Sequence, residues 1–201
     1  MKKMAMRWML WCIFLVSGGV GFLKVRPQVE HVWAVAMEFV NPFGFDDYLK
    51  KKWDSKPTDF LISKLGHPAI AYDGVSTELL ARRKDLDREN ELIGIVQSGA
   101  DQKKRSSALS VLFAWDKDEA TKIAKEILSA GKKHPLYNRA ISHLVHEKDE
   151  FVYPFILDLA KSPDRFTNGA VSYLREYGSR QALLVLEDML REQNLSAVHK
   201  I

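Results

Sequence analysis

A five-residue phrase recurs three times at near-constant spacing. It reads Ala108-Leu109-Ser110-Val111-Leu112, then Ala140-Ile141-Ser142-His143-Leu144, then Ala170-Val171-Ser172-Tyr173-Leu174, with steps of 32 and 30 residues. Internal repetition at this period is the signature of an array of stacked helical units. The match extends downstream of each alanine. Twelve residues on stand Ala120, Val152 and Ala182; fifteen on, Ile123, Phe155 and Val185; sixteen on, Ala124, Ile156 and Leu186; nineteen on, Ile127, Leu159 and Met189. Offsets of 12, 15, 16 and 19 share one stripe of an α-helix, because the helix turns every 3.6 residues. The phrase itself supplies a second stripe on an earlier helix. Each unit is therefore two amphipathic helices, A and B, and neither can bury its stripe alone. Neighbouring hairpins shelter one another when stacked.

The punctuation agrees. Asp116 or Asp118, and Asp149, stand where B helices need an N-cap, and Ser162-Pro163-Asp164 has the form of an N-cap followed by a first turn. Pro135 is placed to open an A helix, and Gly131 and Gly178 sit where helices should stop. Pro154 requires its helix to begin late, so that the proline falls in the first turn. Upstream, Leu92 and Val96 fit the B columns on a helix over about 87–98 that ends at Gly99, while its partner around Thr77–Lys84 lacks the Ala-x-x-x-Leu phrase. The expectation is a degenerate first repeat and three clear ones, the last of them ending the stack with a helix over about 179–193.

The period, the helix pairing and the small alanine of the A stripe resemble HEAT-like repeats of the short bacterial variety, over roughly residues 76–193. Tetratricopeptide repeats, at 34 residues, want a Trp/Leu-Gly-Tyr pattern that is missing here. The resemblance implies an all-α fold, an α-α superhelix of helical hairpins used as a curved protein-binding scaffold. It brings no catalytic residue with it.

The N-terminus reads as a targeting segment. Lys2, Lys3 and Arg7 precede Trp8–Leu23, sixteen residues without a charge. That is longer than most secretory apolar runs and shorter than a typical span. Residues 1–26 are thus expected to form an N-terminal hydrophobic helix. It is read as an uncleaved anchor, with a cleaved signal peptide as the alternative and a cytosolic N-terminal helix as a third. The basic start weakly favours a cytoplasmic N-terminus. This places a single-pass protein in the cytoplasmic (inner) membrane with its array in the periplasm, or, after cleavage, a secreted or periplasmic one. Residues 27–75 are expected to be a helical linker or cap. Within them Val29, Val32, Trp33, Ala36, Met37 and Val40 make one apolar helix face, Asn41-Pro42-Phe43-Gly44 breaks the chain, short helices cover Asp46–Trp53 and Thr58–Leu65, and Gly66 to Gly74 is a loop. The tail 194–201 is expected to be loose.

Composition excludes more than it suggests. Thirty basic and 26 acidic residues give a net charge of +4 and a pI near 9.0. Without Lys2, Lys3 and Arg7 the balance is only +1. A nucleic-acid surface draws its affinity from a concentrated basic excess, so no nucleic acid is expected as a partner. The single cysteine, Cys12, leaves no intrachain disulfide.

Candidate sites are few. Eighteen residues after each alanine stand Glu126, Asp158 and Asp188. In a stack these carboxylates align on successive B helices, as a ladder for a basic segment of a partner protein or as a solvated face neutralised by Lys161 and Arg191. Phe151 and Tyr153 flank the start of one B helix and are candidate aromatic anchors. His143, His146 and Glu147 lack the spacing of a zincin motif, and lone His67 has no acid or nucleophile beside it in sequence. No phosphate loop, nucleophile elbow or Cys/His cluster is present. No cofactor or metal is expected. The reading is a non-enzymatic, membrane-tethered protein–protein interaction scaffold or regulator of an envelope complex. The alternatives are an inhibitor or immunity-type protein covering one partner, and a HEAT-like enzyme of lyase or DNA-glycosylase type.

Overall fold

The alanines that open the three phrases are all fully buried. A computed structural model of the chain describes residues 42–98, 101–162 and 169–198, and these form ten α-helices with two short 3-10 turns and no strand. The helices are α1 (Pro42–Trp53), α2 (Thr58–Ile62), α3 (Ile70–Arg83), α4 (Glu89–Gln97), α5 (Gln102–Trp115), α6 (Lys117–Ser129), α7 (Tyr137–His146), α8 (Tyr153–Ala160), α9 (Ala170–Tyr177) and α10 (Arg180–Val198). The A helices α3, α5, α7 and α9 pack on one another in chain order. Each B helix fills the groove beside them: α4 lies on α5, α6 on α5 and α7, α8 on α9, and α10 on α9. The expected leader (1–26), the amphipathic stretch 29–40 and Gly99 lie outside the described residues. No helix of the described residues is long and apolar enough to cross a membrane.

The repeat register is the register of the core. Ala108, Ala140, Ala170, Leu112, Leu144, Leu174, Ala120, Val152 and Ala182 are all 0 % exposed. A side chain no larger than alanine at the head of the phrase lets neighbouring A helices approach. The leucine one turn later fills the space between them, and each such leucine contributes about 1.5–3 kcal/mol by leaving water. One continuous apolar cluster runs from Phe45 to Met189.

The caps explain where helices begin. The Asp116 carboxylate accepts the Glu119 N–H at 3.0 Å, Asp101 accepts those of Lys103 and Lys104, and Asp149 accepts that of Phe151 at 2.9 Å. Each satisfies donors that a first turn leaves orphaned. Pro154 lies in the first turn of α8, because the 3-10 turn Glu150–Val152 delays that helix. Gly178 ends α9 in the left-handed conformation, at φ 67°.

Upstream boundaries differ from expectation for identifiable reasons. Pro42 opens α1 rather than breaking the chain, since a first-turn proline loses no helical hydrogen bond. The loop expected over 66–74 is shorter, because α3 starts at Ile70 and takes Gly74 into its interior. α2 stops at Ile62, three residues early, and α10 continues past residue 193 to Val198.

Residues 44–69 pack on the first hairpin. Arg83 of α3 donates to the backbone carbonyls of Trp53, Asp54 and Lys56, and Trp53 packs edge-on against Tyr72 at 4.9 Å. At Gly66 (φ 73°) the turn runs so close to α5 that an added Cβ would lie 2.5 Å from the Lys104 backbone. The Gly66 N–H is held by Asp73 at 2.7 Å, and the Lys103 ammonium donates to the His67 carbonyl at 2.6 Å. Trp115, at the end of α5, donates its indole N–H to the Leu80 carbonyl at 2.6 Å and so ties α5 to α3.

Candidate functional site

The B helices carry the surface on which sequence placed a partner. Glu126 is exposed on α6, on a ridge between two depressions. On one side is a groove of about 450 Å³ lined by Asp118, Thr121, Lys122, Lys125, Ser129 and Phe151. On the other is a cleft of about 220 Å³ that includes Arg105, Ile123, Ile127 and His134. Burial pushes the His134 imidazole below its usual pKa, helped by the Arg105 guanidinium. The structure thus brings Glu126 and Phe151, from successive units, into one groove.

Phe151 is held there. Its ring is 38 % exposed, tilts against Phe155 at 5.3 Å, and lies 5.4 Å beneath the Lys125 ammonium. That ammonium also pairs with Asp149 at 2.8 Å. Burial opposes ionisation of Asp149, yet the Lys125 ammonium and the Phe151 N–H outweigh it and hold the carboxyl below its usual range. The ring is therefore held by Phe155 on one side and by Lys125, itself pinned to Asp149, on the other.

The other candidates separate. Tyr153 turns away from the groove, half-buried, and stacks on Tyr177 at 5.4 Å, joining α8 to α9. Asp158 pairs with Lys132, from the loop before α7, at 2.6 Å, rather than with Lys161. Asp188 is exposed on α10, and Arg191 lies 3.9 Å from Glu187 instead. All three carboxylates are solvent-facing, and Lys132 neutralises one of them, Asp158. Exposed pairs of this kind contribute roughly 0–1 kcal/mol each.

The histidines diverge. His143 faces α5, stacked on Phe113 at 4.3 Å with Nε2 3.2 Å from the Ser110 hydroxyl. Burial drops its pKa to about 4, with smaller contributions from Arg139 and His146. His146 faces α9, with Nδ1 3.3 Å from Glu176, and Glu147 pairs with Lys117. His67 is a turn residue whose Nδ1 accepts the Ala69 N–H at 3.1 Å. Among the described residues no three His, Cys, Asp or Glu side chains converge as metal ligands would.

Sequence reasoning missed a polar cluster between the A helices. Arg139 of α7 donates from Nε and Nη2 to the Ser110 hydroxyl of α5, at 3.2 and 2.6 Å. Ser110 stood out only as a small residue in a repeat column, and nothing local marks Arg139 as its partner.

No family model matches the chain, and comparison with curated proteins and with solved structures finds no match.

Proposed function

We propose that this chain is a non-enzymatic interaction scaffold. Its hairpins form an α-α superhelix of HEAT-like type, and its B-helix groove receives a protein partner. The apolar run Trp8–Leu23 tethers the array to the cytoplasmic membrane, with the array on the periplasmic side, where it assembles or regulates an envelope complex. The observation that carries the reading is the groove joining Glu126 to Phe151. An exposed aromatic beside charged groups is the composition of an interaction hot spot. The occupant that fits is a protein segment presenting an apolar side chain to Phe151 and a cation to Glu126. Tethering raises the effective concentration of such a partner without further contacts.

Photo-crosslinking in intact cells tests this reading. A photoreactive residue at position 151 should give one dominant, membrane-fractionating adduct, and Glu126→Lys should reduce it about tenfold, the equivalent of about 1.4 kcal/mol, with no loss of thermal stability. Adducts that arise equally from positions on the A helices, or that ignore Glu126→Lys, count against the groove.

A further inference from the structure

The A-helix side holds a third concavity, separate from the two depressions that flank Glu126. Its volume is about 360 Å³, and its polar lining comes from Gln102 and Ser106 of α5, Asn138, Arg139 and Ser142 of α7, and Tyr173 of α9. That volume lies in the range of small-molecule sites. Its charge pattern is one-sided: Arg139 is the only charged residue lining it, and no carboxylate does.

Arg139 differs in its partner from the lysines that bridge successive units. Lys117, Lys125 and Lys132 each meet a carboxylate of the following unit. Arg139 meets none among the described residues; its partner is the neutral Ser110 hydroxyl. A guanidinium carries five N–H donors, and Ser110 takes two of them, leaving three. Ser110 is itself held, donating toward the Ser106 carbonyl at 3.0 Å with His143 Nε2 on its other side. The guanidinium is therefore anchored, with no ion-pair partner among the described residues. The Ser142 hydroxyl and the Asn138 amide have no hydrogen-bond partner among the described residues, while Gln102 and Tyr173 spend donors on the Pro135 and Asn138 carbonyls. Arg139 lies in the first turn of α7, which contains no acidic residue, so the helix dipole adds to its positive field instead of opposing it.

We propose that this cavity binds a phosphate-ester group, with Arg139 as the charged clamp and Ser142 and Asn138 as neutral hydrogen-bond donors. An anchored guanidinium with donors to spare matches the oxygens of a phosphate, which accept several N–H bonds at once. Pro135, Leu136 and the Tyr173 ring give the cavity an apolar side for the organic part of the ester. The group can come from a soluble phosphomonoester or from a lipid headgroup.

Titration calorimetry of the full chain in detergent, with glycerol 3-phosphate and with inorganic phosphate, tests the assignment, with glycerol as the uncharged control. Both phosphates should bind and glycerol should not. Arg139→Gln should weaken binding at least tenfold, and Ser142→Asp, which adds a carboxylate without touching the Arg139–Ser110 bonds, should abolish it at an unchanged melting temperature. Arg175→Gln, on the exposed face of α9, should leave it intact. Calorimetry with monomeric short-chain phosphatidylglycerol and phosphatidylcholine then separates the sources. Binding of either lipid that is tighter than that of glycerol 3-phosphate and is lost in Ser142→Asp points to a headgroup; binding of the soluble ester alone points to a free metabolite. Absence of phosphate binding, or equal binding by wild type, Arg139→Gln and Ser142→Asp, overturns the proposal.

Discussion

The hairpins α5–α6 and α9–α10 are written in the same register and buried to different depths. In both, the phrase alanine, its leucine, and the positions 12 and 19 residues after the alanine are buried. In α6 the positions at 15 and 16 are buried as well: Ile123 at 3 % and Ala124 at 0 % exposed. Their counterparts Val185 and Leu186 in α10 are only half-buried, and Leu183, Leu184 and Leu190 are 47, 54 and 46 % exposed. The sequence pattern is the same; the neighbours are not. The α5–α6 hairpin has packed helices before and after it, whereas among the described residues α10 packs mainly on α9. Burial in such a stack belongs to the contact between units rather than to any unit's own residues.

Substitutions probe that contrast. The largest effect is expected at Leu144, 0 % exposed in the middle of the A column. Leu144→Ala should cost about 2–5 kcal/mol in denaturant unfolding. A smaller effect is expected from pH. His143 must be neutral to occupy its site between Phe113 and Ser110, with Arg139 and His146 adding positive charge nearby and Glu147 offsetting part of it. Its folded pKa of about 4 lies below the ordinary histidine value of 6.5, so the unfolded chain takes the proton first. Stability from this residue is therefore full above about pH 6.5 and falls as the pH drops toward 4, by about 3 kcal/mol at that end. Unfolding midpoints measured across this window should fall less in His143→Gln than in the wild type. The smallest effect is expected at the exposed end of the array: Leu184→Ser should change stability by no more than about 0.5 kcal/mol. If Leu184→Ser costs as much as Leu144→Ala, something covers α10 in solution and the contrast between the two hairpins disappears.

What could be read from sequence followed the distance over which each feature is encoded. The A and B columns, the aspartate caps at Asp116 and Asp149 and the late start at Pro154 depend on residues within a few turns of one another, and all are visible in the text of the chain. The first A helix is expected around Thr77–Lys84, but a substitution masks its register. Ser76 and Leu80 stand 32 residues before Ala108 and Leu112 and are both 0 % exposed. Serine replaces alanine there because its hydroxyl returns to the Asp73 carbonyl at 3.0 Å and so can be buried without penalty. A search for Ser/Ala-x-x-x-Leu at the repeat step would have found it. The candidate sites were less legible. Lys132 reaches Asp158, and Arg139 reaches Ser110, across 26 and 29 residues, through contacts that exist only once hairpins are stacked. The same holds for Tyr153, whose position beside Phe151 in sequence says nothing of Tyr177, to which it turns.

Residue-resolved amide hydrogen exchange of the native full chain shows whether each unit is stabilised by the units on either side. Exchange should be slowest in α5, α6 and α7, near the global unfolding limit, with protection decreasing through α9 to α10. Protection in α10 equal to that in α7, or rapid exchange in α5 and α7, would contradict this mutual stabilisation.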